Sequence, residues 1–241
     1  MEIKFNDSKI KMIFKDGFEI DKIMLGEELL WENTPKQQYY LPTEEDFNFA
    51  QASPRYISEE RFVRVPEALN GKPLTSIVNM FTFYGGRRVE GVALDNPAIV
   101  SMGSAFNGLT SSSLDLSQFK TVGAVDMGYM FHGIYYMEQI DLSTFDVSAV
   151  RNMGSMFRQS SFKSLDLTSF KFGVEVGVGY MFNNSSAELL DLSSWDTSYL
   201  GYHVGMFNNC KATTGYARTQ EDADFFNAVE GKPAALTFVV K

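Results

Sequence analysis

Four aspartates recur at matched places in the chain. Asp115, Asp141, Asp166 and Asp191 each sit between two aliphatic residues, and each is followed two positions later by a hydroxyl residue: Ser117, Ser143, Thr168 and Ser193. Stacked on one face about 4.8 Å apart, these carboxylates would form an acidic column. Neighbouring carboxylates share a site best when a cation neutralises them, so one reading of these eight residues is a cation- or sugar-binding face. The other is that each aspartate is solvated or hydrogen-bonds its own turn through the hydroxyl residue. Tyr129, Tyr135, Tyr136, Tyr180, Tyr199 and Tyr202 fall in the same region. They suit either a sugar platform, because tyrosine offers rigid amphipathic area, or packing at an edge or against a second copy of the chain.

Other chemistry is thin. His132 and His203 are the only histidines, which excludes a multi-histidine metal centre. His132 reads as a turn residue and His203, in an apolar slot, as a packed one. The single cysteine, Cys210, stands where Ser160 and Ser185 stand and reads as a small buried side chain. Ser111–Ser113 and Gly85-Gly86 lack the context of a nucleophile elbow or a phosphate loop. No enzyme and no cofactor are expected. A formal charge of −9 argues against nucleic acid, which needs a basic footprint. No apolar run approaches the roughly 20 residues that a membrane-spanning helix needs.

The elements that must hold these residues are periodic. Met80-Phe81, Ala105-Phe106, Met130-Phe131, Met156-Phe157, Met181-Phe182 and Met206-Phe207 are spaced 25, 25, 26, 25 and 25 residues apart. Leu114-Asp115-Leu116, Ile140-Asp141-Leu142, Leu165-Asp166-Leu167 and Leu190-Asp191-Leu192 run in the same phase, each followed by an aromatic: Phe119, Phe145, Phe170 or Trp195. Val89-Glu90 opens an earlier, degenerate copy. A fixed period of this length predicts a solenoid in which each coil buries its apolar side on the next. The Leu-Asp-Leu triplets are expected as short strands with the aspartate outward. The Met-Phe pairs should form the opposite wall as an irregular or one-turn helical piece, with methionine filling uneven gaps.

Residues 141–157, Asp-Leu-Ser-Thr-Phe-Asp-Val-Ser-Ala-Val-Arg-Asn-Met-Gly-Ser-Met-Phe, resemble the BspA-like leucine-rich surface repeat. Asp191–Ser198, Met206–Cys210 and the Val65–Ile77 opening are similar to the same template, and the resemblance spans about residues 62–212. Phe172–Val176 and the 89–100 copy depart from it. The resemblance implies an extracellular-facing adhesion or structural module. More weakly, Lys22–Trp31 is similar to a strand-turn-strand element at the front of phage virion proteins, and Thr214–Asp224 with Leu236–Lys241 to the closing segment of phage-borne repeat proteins.

The expected architecture is mainly β with short helical turns: a leucine-rich-repeat-like solenoid of about six 25–26-residue coils. Residues 1–34 form a small β docking module, 35–61 a linker or lead-in, 62–212 the solenoid and 213–241 a helix-strand cap, with Thr219 and Asp222 marking the helix start. Ile23, Leu25, Leu30 and Trp31 are the candidate docking residues. Residues 1–5 begin with charge and alternation and carry no secretory signal. These features lead to two expectations. One is a virion structural protein that meets other virion proteins through the N-terminal module and a host surface glycan or protein through the solenoid. The alternative is a bacterial cell-surface adhesin. Assembly as a homo-oligomer is left open.

Overall fold

The computed structural model describes residues 40–48, 55–56, 61–82 and 89–241 and, as backbone alone, four strands between residues 2 and 32. The chain divides into two compact units, Met1–Gln38 and Tyr39–Lys241. In the first, alternating polar and apolar residues form an antiparallel meander, β1 (Glu2–Phe5), β2 (Ser8–Lys15), β3 (Glu19–Leu25) and β4 (Glu28–Glu32), paired in sequence order. The turn signals at Asn6-Asp7, Asp16-Gly17 and Gly26-Glu27 lie outside the described residues.

The second unit is mainly β and winds as a solenoid of about seven turns. Its short opening elements are β5 (Phe47–Asn48) with β6 (Arg55–Tyr56), β7 (Phe62–Arg64), and β8 (Ala68–Leu69) with β9 (Lys72–Pro73). Residues of the lead-in already belong to the coil stack: Tyr40 donates its N–H to Phe62 and accepts from Arg64, and Tyr56 donates to Met80. β10 (Gly91–Ala93) lies parallel to β7, so the degenerate copy after Val89 keeps its strand. Further on, β11 (Ser164–Asp166), β12 (Leu189–Leu192), β13 (Thr214–Ala217) and β14 (Thr237–Val240) make a parallel sheet in that order. Leu114–Leu116 and Ile140–Leu142 do not form the strands expected of them. Asp115 keeps a single bridge, to Gly91, and Ile140–Leu142 keeps none.

The second wall is more regular. A parallel ladder of single bridges runs Ser76, Ser101, Asp126, Asn152, Gly177. Each coil then turns inward through the Met-Phe segment, which is a run of consecutive i→i+3 turns. In one coil Met130, His132 and Phe131 illustrate it: Met130 donates to Met127, His132 donates to Tyr129, and Phe131 donates across to Met156 of the next coil. A left-handed residue sets the first bend of each coil: Asn79, Ser104, Tyr129, Ser155, Tyr180 and Gly205. A second column, Gly108, Gly133, Gln159, Asn184 and Asn209, sets the other. Glycine and asparagine take this conformation cheaply, whereas tyrosine is strained in it.

Those turns aim the phenylalanines at one another. Phe81, Phe106, Phe131, Phe157, Phe182 and Phe207 are buried and stack with ring centroids 5.5–5.9 Å apart and planes within 12° of parallel. Phe119, Phe145 and Phe170 form a second stack on the strand side. Fully burying such a ring is worth about 1.5–3 kcal/mol before packing is counted. The six-fold repetition therefore supplies most of what a helix-poor chain lacks in secondary structure.

The cap closes the last coil. Helix α1 (Gln220–Ala228) starts at Thr219, whose hydroxyl accepts from the Asp222 N–H. Asp222 is buried and accepts from the hydroxyls of Thr219 and Thr197, from the Thr197 N–H and from Arg218. Phe226 and Phe238 cover Phe207, so the apolar end of the stack meets rings rather than water.

Candidate functional site

The four aspartates hold matched positions on one wall, but their surroundings differ. Asp141 and Asp166 are exposed, Asp115 is half-buried and Asp191 is buried. Each turns an oxygen back to its own chain: Asp115 accepts from the Ser117 N–H at 2.9 Å, Asp141 from Ser143 at 2.9 Å, Asp166 from Thr168 at 3.0 Å and Asp191 from Ser193 at 3.1 Å. The column is thus a series of carboxylate-closed turns, the geometry by which aspartate fixes a chain reversal. The side-chain and backbone hydrogen bonds from Ser143 hold Asp141 below the usual carboxylate range. Burial pushes Asp191 up, but Lys241 and Ser193 outweigh it and keep it low. Among the described residues no three acidic or sulfur or imidazole groups converge as a metal site.

A cleft opens on this wall where the ladder is interrupted. Its origin is one residue. Ile140 follows Phe131 by nine positions, whereas Leu114, Leu165 and Leu190 follow Phe106, Phe157 and Phe182 by eight. The spacing of 26 in an otherwise 25-residue series therefore arises entirely between Phe131 and Ile140. An extra residue in a paired segment bulges the chain and breaks local pairing. Here it brings Tyr135 and Tyr136 to the surface at 62% and 65% exposure and leaves Ile140 half-exposed, while its counterparts Leu165 and Leu190 are buried. No backbone hydrogen bond joins Ser112–Leu114 to Glu138–Asp141. The resulting cleft, about 760 Å³, is lined by Ser112–Asp115 on one side, Glu138–Asp141 and Tyr136 on the other, and Phe62 and Glu90 at its end. It brings together Asp115 and Asp141 of the candidate face. Asp166 lines a smaller recess with Asp141, and Asp191 stands apart under Lys241.

The histidines, the cysteine and two of the tyrosines are engaged within the chain. His203 packs its ring on Phe225 and bonds the Gly201 carbonyl through Nδ1 at 2.7 Å. Burial, then the Arg158 charge, lowers the His132 pKa, with a hydrogen bond from the ring to Gln159 opposing them. Burial pushes the Cys210 thiol up. Tyr129 packs edge-on to His132, and the Arg158 guanidinium lies 5.9 Å from the Tyr180 ring centroid. Ile23 and Leu25 fall in β3, and Leu30 and Trp31 in β4, with Ile23 opposite Trp31; their side chains lie outside the described residues. Sequence reasoning recorded the 26-residue step but drew nothing from it. That step was the signal for the cleft.

The repeat geometry fits a family model. The model described as "Mycoplasma protein of unknown function, DUF285" matches residues 75–187 and 100–219, together more than half of the chain. The chain belongs to the DUF285 family. The match covers the coils that carry the BspA-like repeat resemblance, and the DUF285 description attaches no activity to them. No curated protein and no solved structure matches this chain.

Proposed function

We propose that this DUF285 protein is a non-enzymatic display scaffold of a phage particle. Residues 1–34 dock it to other virion proteins, and the solenoid serves as a fibre, decoration or host-contact body. The observation that carries this reading is the division of the chain into a small antiparallel sheet and a separate repeat unit with its own continuous core. A body built this way presents surface without needing a reaction centre. The engaged histidines, the thiol held up by burial and the carboxylates committed to their turns support the absence of catalysis. The six exposed tyrosines support contact with a host glycan or protein.

Deleting residues 1–34 tests the docking role. The truncated protein should keep the circular dichroism and melting temperature of the solenoid and should be missing from purified particles. Truncated protein found on particles would refute it. The family's Mycoplasma description favours a second reading, a cell-surface adhesin. Immunogold labelling separates the two: gold on cells in the absence of particles would select the adhesin.

A further inference from the structure

We propose that Arg158 and the two tyrosines beside it bind the carboxylate of an acidic sugar. The inference rests on the display reading and gives its host-contact surface a ligand class. One exceptional cation stands in a repeating column. Thr82, Asn107, His132, Arg158, Asn183 and Asn208 each follow the stacked phenylalanine of their coil, and Arg158 is the only fixed charge among them. Of the two half-buried cations among the described residues, Lys232 donates to the Pro233 and Leu236 carbonyls. The Arg158 guanidinium has no ion pair and no hydrogen bond among the described residues, and its Nε is buried. A donor held out of water and unsatisfied is rare in a folded chain and asks for an acceptor from outside it. Burial first, and then the Arg158 charge, lower the His132 pKa, so the guanidinium acts on its neighbour as an unneutralised cation.

The flanks are aromatic. The guanidinium lies 5.9 Å from the Tyr180 ring centroid, and Tyr129 packs edge-on to His132 at 5.6 Å. Tyr129 and Tyr180 are exposed and hold one bend column two coils apart, roughly 9.6 Å, with buried Ser155 between them. Both are left-handed, a conformation that strains tyrosine, where Asn, Ser and Gly fill the rest of the column. Strain of this kind is kept where a side chain does something that a cheaper residue would not.

Other anions fit less well. A carboxylate meets the arginine fork with two parallel hydrogen bonds, and the C–H face of a sugar ring packs on tyrosine. An acidic peptide needs free backbone groups to pair with, but on this wall the N–H groups of Tyr129, Gly133, Gln159 and Tyr180 already donate to the next coil. Phosphate is held by several converging backbone N–H groups, which the same pairing removes. Charges beyond about 8 Å are screened at physiological ionic strength, so the net charge of −9 leaves room for a local anion site.

The test uses the full chain and fluorescein-labelled tetraglucuronate, read by fluorescence anisotropy, with labelled cellotetraose and a tetraglutamate peptide as controls. Arg158→Gln removes the charge and keeps the stem, and Lys171→Gln removes the same charge at an exposed position beside Phe170 of the second stack. We expect tetraglucuronate to bind, both controls to bind at least five-fold more weakly, Arg158→Gln to weaken binding at least ten-fold and Lys171→Gln less than two-fold. Tyr129→Asn should weaken it at least three-fold in a chain that melts no lower than the parent, which separates lost contact from lost fold. Equal weakening by Arg158→Gln and Lys171→Gln would mean that only net charge is sensed and would overturn the proposal. So would no binding of tetraglucuronate at millimolar concentration, cellotetraose or tetraglutamate binding as tightly, or its displacement by an equal concentration of inorganic sulfate. Failure on these counts leaves the docking role standing, because the residue 1–34 deletion reads particle incorporation separately.

Discussion

Replacing Asp222 by asparagine tests how the cap is held. Burial alone would raise this carboxyl. Hydrogen bonds from the Thr219 hydroxyl, the Thr197 N–H, Arg218 and the Thr197 hydroxyl outweigh burial and hold it at about 2. An unfolded aspartate titrates near 3.9, and each pH unit of difference corresponds to about 1.36 kcal/mol, so the ionised form stabilises the fold by about 2.5 kcal/mol. Because the folded value is the lower one, this stability is fully present above about pH 4 and is lost as the pH falls through 2. For a domain of this size about 1 kcal/mol moves the melting temperature by roughly 2–4 °C. Asp222→Asn should therefore melt about 5–10 °C below the parent at pH 7, with the gap shrinking to about 1–2 °C at pH 2. Circular dichroism melts at half-unit steps from pH 7 to 2 measure it. A gap under 2 °C at pH 7, or one that stays constant down to pH 2, would refute the reasoning.

Other expectations follow from the coils. Phe157→Ala removes a ring stacked on Phe131 at 5.8 Å and on Phe182 at 5.9 Å, and should cost about 3–5 kcal/mol, seen as a lower urea midpoint. Tyr129→Asn replaces a strained left-handed tyrosine with the residue type found at Asn79 of the same column, and should stabilise by about 1 kcal/mol; a lower melting temperature would show that the ring contact with His132 outweighs the strain. Calcium at millimolar concentration should leave the melting temperature unchanged, since the aspartates already close their turns, and a rise above about 2 °C would restore the cation ladder.

The solenoid was legible because its core is written in two residue types. Met-Phe pairs keep phase over six coils and Leu-Asp-Leu triplets over four, and burial forces each kind onto its own wall. The bends were not legible. Their left-handed columns mix Ser, Asn, Tyr, Gln and Gly, which share a backbone conformation but no side-chain chemistry. The Met-Phe wall, expected as an irregular or one-turn helical piece, is a chain of turns. The strands failed at Leu114–Leu116 and Ile140–Leu142 for a different reason: pairing depends on the neighbouring coil's length, and one added residue before Ile140 removes it. Of the candidate face, the Asp-x-Ser/Thr spacing was legible because a carboxylate reaches the N–H two positions on, and that N–H is the group each aspartate accepts from. The position that turns Asp115 and Asp141 toward a common cleft is set by Tyr135–Gln139, a stretch with no motif of its own.

The phenylalanine stack also bears on how such a body changes length. Phe131 meets Phe157 at 5.8 Å and 6°, and Phe182 meets Phe207 at 5.8 Å and 4°, so the upper surface of one coil fits the lower surface of any other. A gene segment excised or duplicated between two such contacts leaves matching ends, and the helix-strand cap remains serviceable. Reach can then vary in whole steps of 25 residues by recombination. The coil with the added residue is the exception. It is not interchangeable, so each coil inserted or removed between it and α1 would shift the cleft by one coil relative to the cap.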